Sequence, residues 1–258
     1  LLNNYYSNDL EPSNINKLSI SLKMNDSQLI EKYADLEPSE LTFHELEYIR
    51  PNVFKKMAEE TSEKLFVKTH SAYFETSIQE PVIPLQNTIG IIYLIRNPLD
   101  VVVSYAHHES KSIDEMIDFM NDENAIIGNL KSSFHRLSPE RMYSWSKHVL
   151  SWTKPELPVL LVKYEDLLAN TETTFSRILH FLNVEISKES LLKAVEFSAF
   201  EILKKQELDS GFKEKNLRTK QFFRKGKVGN WKEELNEGQV RKMVKNFGHV
   251  MQLFGYDS

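Results

Sequence analysis

The chain contains no cysteine, and this absence excludes several kinds of chemistry. A protein without cysteine forms no disulfide bonds, binds no metal through thiolates and has no thiol nucleophile. The composition is typical of a reducing compartment, so we predict a cytoplasmic protein. Glycine and proline are also scarce, at eight and nine residues, which argues against long flexible linkers.

Long apolar runs are missing as well. No run approaches the roughly 18 apolar residues that a membrane-spanning helix requires, so we expect no membrane span. With 258 residues and 41% hydrophobic content, the chain can bury one substantial core. We therefore predict a single domain over residues 1–258.

Negative charge predominates overall, but one segment is strongly basic. The net charge is −5, whereas residues 213–232 contain eight Lys or Arg and one acidic residue, Glu214. A cationic segment in an acidic protein indicates one anionic ligand rather than a nucleic-acid surface. Arg224 and Lys225 precede Gly226 there, and glycine lets backbone N–H groups approach an anion. The alternative is a solvated basic loop.

Three short apolar runs predict buried strands, at residues 65–69, 90–95 and 158–162. Helix signals lie between and after these runs. Strands that alternate with helices predict an α/β fold, with a central, mostly parallel sheet flanked by helices. In such sheets the ligand lies beyond the carboxyl ends of the strands, so the polar residues there are candidates for the site.

Four helices are predicted from capping residues and apolar spacing. Asn97 and Ser138 each precede a proline and are predicted to cap a helix. Two more helices are predicted over residues 171–182 and 237–254, where apolar residues recur at helical spacing. We assign no chemistry to the last helix.

Lys68 and His70 stand two residues apart at the end of the first predicted strand, so their side chains leave the same face. Histidine is the natural general base near neutral pH, and a neighbouring lysine can stabilise negative charge that develops beside it. The pair suits activation of a hydroxyl for attack on an anionic group. The alternative is that both side chains only reach solvent.

Arg96 directly follows the second predicted strand, and Ser104 lies eight residues later in the following helix. A guanidinium fork and a hydroxyl near a helix N-terminus could together hold a phosphate. The alternative is a structural arginine that pairs with Asp100.

Taken together, these motifs resemble the soluble sulfotransferases, which use 3′-phosphoadenosine-5′-phosphosulfate (PAPS) as donor. Five ordered motifs support the resemblance: Lys68-Thr69-His70, Arg96 to Ser104, Trp145 with His148 and Trp152, Tyr164-Glu165-Asp166, and Arg224 to Lys232. The resemblance extends over essentially the whole chain and implies a P-loop-type sulfotransferase fold. It also implies transfer of a sulfuryl group to a hydroxyl or amine of a small-molecule acceptor, with release of adenosine 3′,5′-bisphosphate (PAP).

The resemblance implies a role for each matching residue. His70 matches the general base, and Lys68 matches the lysine that steadies the transferring group. The donor's 3′-phosphate would be bound by Arg96, Ser104, Arg224, Lys225 and Gly226. The adenine side would be contacted by Tyr164, Ser198 and Phe200. We expect His148 to pack within its helix rather than line the acceptor pocket.

The sequence departs from the family pattern in two places. Asn230 stands where the family usually has Asp, and we expect a modest effect on the loop. The family's first motif, a strand followed by a glycine-containing phosphate loop, is not found. In the family this loop precedes a Leu-Leu-x-Asn-Tyr stretch, which matches Leu1 to Tyr5 here, so we expect the strand and loop upstream of Leu1.

Two other functions remain open from the sequence. The first is a nucleotide-binding protein without catalysis, although Lys68 and His70 argue against it. The second is another P-loop transferase such as a small-molecule kinase, although no carboxylate arrangement suits a nucleotide-bound Mg²⁺. We expect no metal site. The acceptor and the oligomeric state are not predicted.

Overall fold

The structure is a computed structural model that describes residues 1–7, 9–128, 137–216 and 219–256. The chain divides into two compact units, and each is made from segments that are separate in sequence. The first unit comprises Leu1–Ile20, Ile92–Met120 and Leu160–Ser258. The second unit comprises Ser21–Ile91 and Asn121–Val159. A single domain over residues 1–258 stays a prediction.

Helices and strands are interspersed along the described residues up to residue 163, and α-helices follow from Tyr164 on. The strands are β1 (Ser21–Lys23), β2 (Phe66–Lys68), β3 (Ile91–Ile95), β4 (Ile126–Ile127), β5 (Glu140–Arg141) and β6 (Val159–Lys163). The helices are α1 (Leu2–Tyr6), α2 (Ser27–Ala34), α3 (Phe43–Glu59), α4 (Pro98–Glu109), α5 (Ile113–Asn121), α6 (Trp145–Ser151), α7 (Tyr164–Ala169), α8 (Thr171–Phe181), α9 (Lys188–Phe197), α10 (Phe200–Ser210), α11 (Trp231–Glu234) and α12 (Glu237–Leu253). Short 3₁₀ helices cover Pro38–Glu40 and Leu85–Asn87.

All three predicted strands are present, as β2, β3 and β6, with ends that differ from the predicted ones by at most one residue. Within the described ranges the strands form three two-stranded sheets. β1 runs parallel to β2, with Lys23 opposite Lys68. β3 pairs with β6, and β4 pairs antiparallel with β5. The predicted α/β class is confirmed.

The predicted helix after Asn97 is confirmed as α4. The Asn97 side chain accepts a hydrogen bond from the Leu99 backbone N–H, and Pro98 occupies the first helical position. The fixed φ angle of proline suits this position, where no backbone donor is needed. The helix buries an apolar face that includes Leu99, Val102 and Val103. This packing fixes the direction in which the chain leaves β3.

The helices predicted over residues 171–182 and 237–254 are confirmed as α8 and α12. Asn236 and Gln239 form a reciprocal capping box at the start of α12, which satisfies two backbone donors. Met243 and Phe247 on the apolar face of α12 are fully buried. The helix is therefore a packing element of the first unit, as expected.

The prediction that a helix begins after Ser138 is wrong. Ser138 is buried, and its hydroxyl accepts a hydrogen bond of 2.7 Å from the Arg50 guanidinium. Glu140–Arg141 then forms a strand, and the helix begins only at Trp145, with Ser144 as its cap. A Ser-Pro pair is a valid capping signal, but a distant buried arginine takes the hydroxyl that a cap would need.

Each unit has its own buried apolar residues. In the second unit, Met24, Phe54, Met57 and Val82 form one cluster, and a second cluster packs beside α2 and α3. In the first unit, buried side chains from α4, α8 and α12 fill the interior. Among the helices of the described ranges, none combines the length and apolar character that crossing a membrane would take.

Candidate functional site

Arg96 is held at the end of β3 with part of its guanidinium still available to a ligand. Its guanidinium carbon lies 4.4 Å from the centre of the Tyr164 ring. At this distance a cation is attracted to the face of an aromatic ring. Nη2 donates to the Lys227 carbonyl oxygen at 3.3 Å. Nε is buried and has no hydrogen-bond partner among the described residues. A buried donor without a partner is costly, so an anion at Arg96 would satisfy it.

Asp100 fixes the basic loop, which we define as residues 224–232, against the start of α4. The Asp100 carboxylate is buried, and its two oxygens accept from the backbone N–H groups of Gly229 at 2.7 Å and Trp231 at 3.1 Å. The predicted alternative of an Arg96–Asp100 pair is present only as a long contact of 4.0 Å. The main role of Asp100 in this structure is therefore to hold the loop.

Gly226 meets Phe200 at a point where only glycine fits. Gly226 has a φ of +59°, and a Cβ atom built there would lie 2.4 Å from the Phe200 ring. Residues with a side chain adopt this φ at a cost, and the overlap with the ring adds to it. Phe200 starts α10, so the contact joins the basic loop to that helix.

Two of the four cations of the loop pair with an acidic residue that was not predicted from the sequence. Glu234 Oε1 lies 2.8 Å from Arg224 Nη1 and 2.9 Å from Lys225 Nζ. Glu234 Oε2 lies 2.9 Å from His107 Nε2. Burial alone would raise the pKa of Glu234, but hydrogen bonds from His107, Lys225 and Arg224 outweigh it and lower the pKa to about 2. The only signal in the sequence was an acidic pair directly after the basic loop.

The two predicted serine hydroxyls make local contacts. Ser104 donates to the Val101 carbonyl oxygen of its own helix at 3.0 Å. Ser198 caps the C-terminus of α9, and its hydroxyl accepts from the Asn4 side-chain amide at 3.0 Å. Ser198 therefore links α9 to α1. Another residue of the basic segment, Arg218, lies outside the described residues.

Lys68 and His70 lie in the second unit, at and just beyond the end of β2. Both side chains are exposed, while the backbone of His70 is fixed from two sides. Its N–H donates to Glu140 Oε1 at 3.0 Å, and its carbonyl oxygen lies 3.0 Å from His148 Nε2. We predicted that His148 only packs within its helix, but its ring also contacts the backbone of His70.

All of the predicted donor-binding residues belong to the first unit. Within it, Arg96 contacts Tyr164 and the basic loop, and Gly226 of that loop meets Phe200. Asn97 N–H donates to Glu165 at 2.9 Å, so the ends of β3 and β6 meet there as predicted. The convergence of Lys68 and His70 with these strand ends stays a prediction. A polar cavity of about 470 Å³ around Asn3 and Ser19 lies in the first unit, and no predicted site residue lines it.

Metal-ligating side chains are not clustered in the part of the chain that the structure describes. No group of three or more His, Cys, Asp or Glu side chains there could hold a metal ion. The expectation of a site without a metal stays a prediction.

Comparison with known proteins assigns the chain to a family. A model described as "Sulfotransferase domain" matches residues 7–255. Sulfotransferase 1B1 of Canis lupus familiaris is 30% identical over 167 residues, which is 61% of this chain and 53% of that protein. Cytosolic sulfotransferase 10 of Arabidopsis thaliana is 28% identical over 205 residues, which is 75% of this chain and 58% of that protein. The chain thus spans little more than half the length of these two relatives.

Solved structures agree with this assignment. A retinol dehydratase in complex with androsterone and the inactive cofactor PAP has a TM-score of 0.55 at 25% identity, covering 88% of this chain and 66% of that chain. Mouse sulfotransferase SULT7A1 complexed with PAP has a TM-score of 0.56 at 22% identity, covering 78% and 70%; at this identity the likeness concerns the fold alone. Because the family model matches nearly the entire chain, the protein belongs to the sulfotransferase family.

Proposed function

We propose that the protein transfers a sulfuryl group from PAPS to a hydroxyl or amine of a small-molecule acceptor and releases PAP. The observation that supports the donor most directly is Arg96. Its guanidinium is stacked on Tyr164 and keeps a buried Nε without a partner among the described residues. This suits a phosphate, which accepts charge-assisted hydrogen bonds from arginine.

The donor's 3′-phosphate would be held by cations, a hydroxyl and a glycine of the first unit. These residues are Arg96, Ser104, Arg224, Lys225 and Gly226. The adenine side would be held by Tyr164, Ser198 and Phe200. The close approach of Gly226 to Phe200 fits this grouping, because it brings the loop backbone next to an aromatic face. When bound, PAPS supplies a sulfuryl group on a phosphate leaving group, and transfer replaces that sulfur–oxygen bond with one to the acceptor.

Catalysis would come from the end of β2. His70 would accept the proton of the acceptor hydroxyl as that oxygen attacks, which typically contributes about 10²- to 10⁴-fold in rate. Lys68 would stabilise the negative charge on the transferring group. Such transfers need positioning and charge stabilisation more than covalent catalysis.

The acceptor class is inferred from relatives. Proteins named 3-alpha- and 3-beta-hydroxysteroid sulfotransferase from Cavia porcellus are 27% and 26% identical to this chain, and a retinol dehydratase structure contains androsterone. Both point to a hydroxylated small molecule as acceptor. A cytoplasmic location is proposed with it, from the lack of cysteine and the cytosolic naming of a relative.

Arg96→Ala is expected to lower the affinity for PAP at least tenfold, because it removes the buried donor that the phosphate would satisfy. Isothermal titration of PAP into the protein expressed from its full reading frame measures this. Arg241→Ala is the matched control, since Arg241 is exposed on α12 and pairs with the exposed Glu237 one turn away. Absence of PAP binding by the unmodified protein, or equal losses in the two variants, would contradict the proposed donor site.

His70→Ala is expected to lower turnover about 10²- to 10⁴-fold while PAP binding stays within twofold. A sulfate-transfer assay with a phenol, a primary alcohol and a 3-hydroxysteroid as acceptors measures the first, and titration the second. His249→Ala on the exposed side of α12 serves as control. Normal turnover in His70→Ala would show that another group takes the proton. PAP binding with no turnover on any acceptor would favour a nucleotide-binding protein without catalysis.

A further inference from the structure

A buried carboxylate lies directly beneath the residues that end β2. Glu140 is 1% exposed, and three groups donate to it. Oε1 accepts from the Thr69 hydroxyl at 2.7 Å and from the His70 backbone N–H at 3.0 Å. Oε2 accepts from the Asn25 side-chain amide at 2.9 Å. All three contacts use Glu140 as an acceptor, and a carboxylate bound in this way is held rigidly.

A second side chain contacts the carbonyl oxygen of His70, the residue whose N–H donates to Glu140. His148 Nε2 lies 3.0 Å from the His70 carbonyl oxygen. A carbonyl oxygen only accepts, so Nε2 carries the proton in this contact. Burial is the main cause that lowers the pKa of His148, and the hydrogen bond to the His70 carbonyl opposes it. The N–H and the C=O of His70 are therefore both bound by side chains from other segments of the second unit.

The backbone that follows His70 is fixed as well. The Ala72 N–H donates to the Arg141 carbonyl oxygen at 2.7 Å. The Trp152 indole N–H donates to the Ser71 carbonyl oxygen at 3.1 Å. The His70 side chain nonetheless remains exposed. Rigid backbone under an exposed imidazole is what a base needs if it is to meet a substrate in one orientation.

A buried arginine accompanies the carboxylate. Arg50 of α3 is 1% exposed, and Nη2 donates to the Ser138 hydroxyl at 2.7 Å. Burial lowers the pKa of Arg50, and the charges of Glu140 and Glu47 oppose that shift. A carboxylate taken out of water is tolerated when a cation and hydrogen-bond donors surround it. Glu140 therefore lies in the interior with three hydrogen-bond donors bound to it and with the charge of Arg50 near enough to interact.

We propose that Glu140 and His148 are positioning residues for His70, binding its peptide N–H and C=O so that the imidazole is aimed at the acceptor. This inference rests on the proposed function, because His70 acts as the base only there. Misplacement of a reacting group by about 1 Å can lower a rate about 100-fold. The two side chains would thus influence the rate without touching the substrate.

The first test is a double-mutant cycle between Glu140→Gln and His70→Ala. Glutamine has one acceptor oxygen and no charge, so it cannot accept from Thr69, His70 and Asn25 together, and its bonds to Thr69 and His70 are no longer charge-assisted. Glu140→Gln alone is expected to lower kcat about 10- to 100-fold, with the KM for PAPS and the affinity for PAP unchanged within twofold. In the His70→Ala background the same change is expected to have almost no effect, because the group it positions is gone.

The second test is rescue by exchange of polarity. In the variant Glu140→Gln with Asn25→Asp, the glutamine oxygen can accept from Thr69 and His70 while its amide donates to the new carboxylate. This exchange retains one negative charge near Arg50, and kcat is expected to recover at least tenfold over Glu140→Gln. A melting temperature of Glu140→Gln within about 3 °C of the unmodified protein shows that the lost activity did not come from failure to fold.

The third test concerns His148. His148→Gln retains an N–H donor near the position of Nε2, whereas His148→Leu removes it. His148→Gln is expected to keep at least tenfold more activity than His148→Leu, with equal melting temperatures within about 3 °C. Equal rates in the two variants would overturn the role of His148.

The results separate this inference from the function on which it rests. Normal turnover in His70→Ala would contradict the role of His70 as the base, and with it the positioning role of Glu140 and His148, while the proposed sulfuryl transfer itself would stand. A large loss in His70→Ala, together with a normal rate in Glu140→Gln, would overturn the positioning role alone. Equal rate losses from Glu140→Gln in the two backgrounds, with no recovery in the exchange variant, would also overturn it. The acceptor in every assay is whichever of 4-nitrophenol, a primary alcohol or a 3-hydroxysteroid the unmodified protein converts fastest.

Discussion

Gly226 is constrained both by its backbone conformation and by the Phe200 ring that lies against it. The φ of +59° belongs to the left-handed region, and the Phe200 ring fills the space where a side chain would start. Gly229, three residues later, has a φ of +80° but no heavy atom within 4 Å of an added Cβ. The two glycines therefore separate backbone strain from steric overlap within one loop.

Gly226→Ala is expected to lower PAP affinity at least tenfold, because alanine would displace the Phe200 ring or the loop. Gly229→Ala shares the cost of a positive φ, about 1–2 kcal/mol, without the overlap. The matched pair is measured by PAP titration and by thermal unfolding. If both variants lose affinity for PAP equally, the contact between Gly226 and Phe200 does not contribute to donor binding.

At the scale of elements, the basic loop is tied to α4 and α11 by acidic residues. Asp100 at the start of α4 holds the loop backbone, and Glu234 at the end of α11 holds the side chains of Arg224 and Lys225. His107 of α4 also bonds to Glu234. The predicted phosphate-binding cations are therefore pre-positioned by carboxylates, which an incoming donor would have to share or replace.

Glu234→Gln is expected to lower the melting temperature at pH 7 by about 2–4 °C, the shift that roughly 1 kcal/mol produces in a protein of this size. The pKa of Glu234 is about 2 in the folded protein, against an ordinary value of 4.5. Its carboxylate therefore stabilises the fold above about pH 4.5, and this contribution is lost as the pH falls toward 2. The difference between the variant and the unmodified protein should shrink over that range.

Glu233→Gln is the control for this experiment. The Glu233 side chain is 74% exposed and lies 3.1 Å from Lys225 Nζ, and such exposed pairs contribute little. The melting temperature of Glu233→Gln should equal that of the unmodified protein at every pH. A Glu234→Gln curve parallel to the unmodified one down to pH 2 would show that the carboxylate has no such role.

At the scale of the molecule, the predicted donor-binding and catalytic residues are divided between the two compact units. All eight residues proposed to bind the donor lie in the first unit, and Lys68 and His70 lie in the second. A ligand that binds only the folded state stabilises the region it contacts. The division therefore has a measurable consequence.

PAP at 100 times its dissociation constant is expected to slow amide exchange in the first unit by about 100-fold. The protected amides should include those of α4 and the basic loop. The helices α2 and α3 of the second unit should exchange as they do without PAP. Hydrogen exchange measured by mass spectrometry tests this, with Arg96→Ala plus PAP as the unprotected control. Equal protection in both units would contradict a donor site confined to the first.

Several features of the fold could be predicted because their causes lie close together in sequence. Asn97 caps the helix that Pro98 begins, and the apolar runs of β2, β3 and β6 are buried strands. Capping and burial patterns of this kind depend on neighbours within a few residues. Gly226 was identified from the cations before it, but the Phe200 ring that excludes a side chain there belongs to another helix and was not visible in the sequence.

The prediction at Ser138 was wrong for the opposite reason. The residue that claims its hydroxyl, Arg50, lies 88 positions earlier, and no local pattern reveals that contact. Glu140 was missed in the same way, since its partners Asn25 and Thr69 are 115 and 71 positions away. Buried polar networks depend on which segments the fold brings together, so sequence patterns do not show them.

The sequence by itself determined the α/β class, the strand ends at Lys68 and Arg96, and the family, because ordered motifs and local periodicity are written in consecutive residues. Tertiary structure alone decided which carboxylates bind the loop and which side chains bind the peptide of His70. Those contacts join residues from distant segments, and their geometry exists only once the core of each unit has packed.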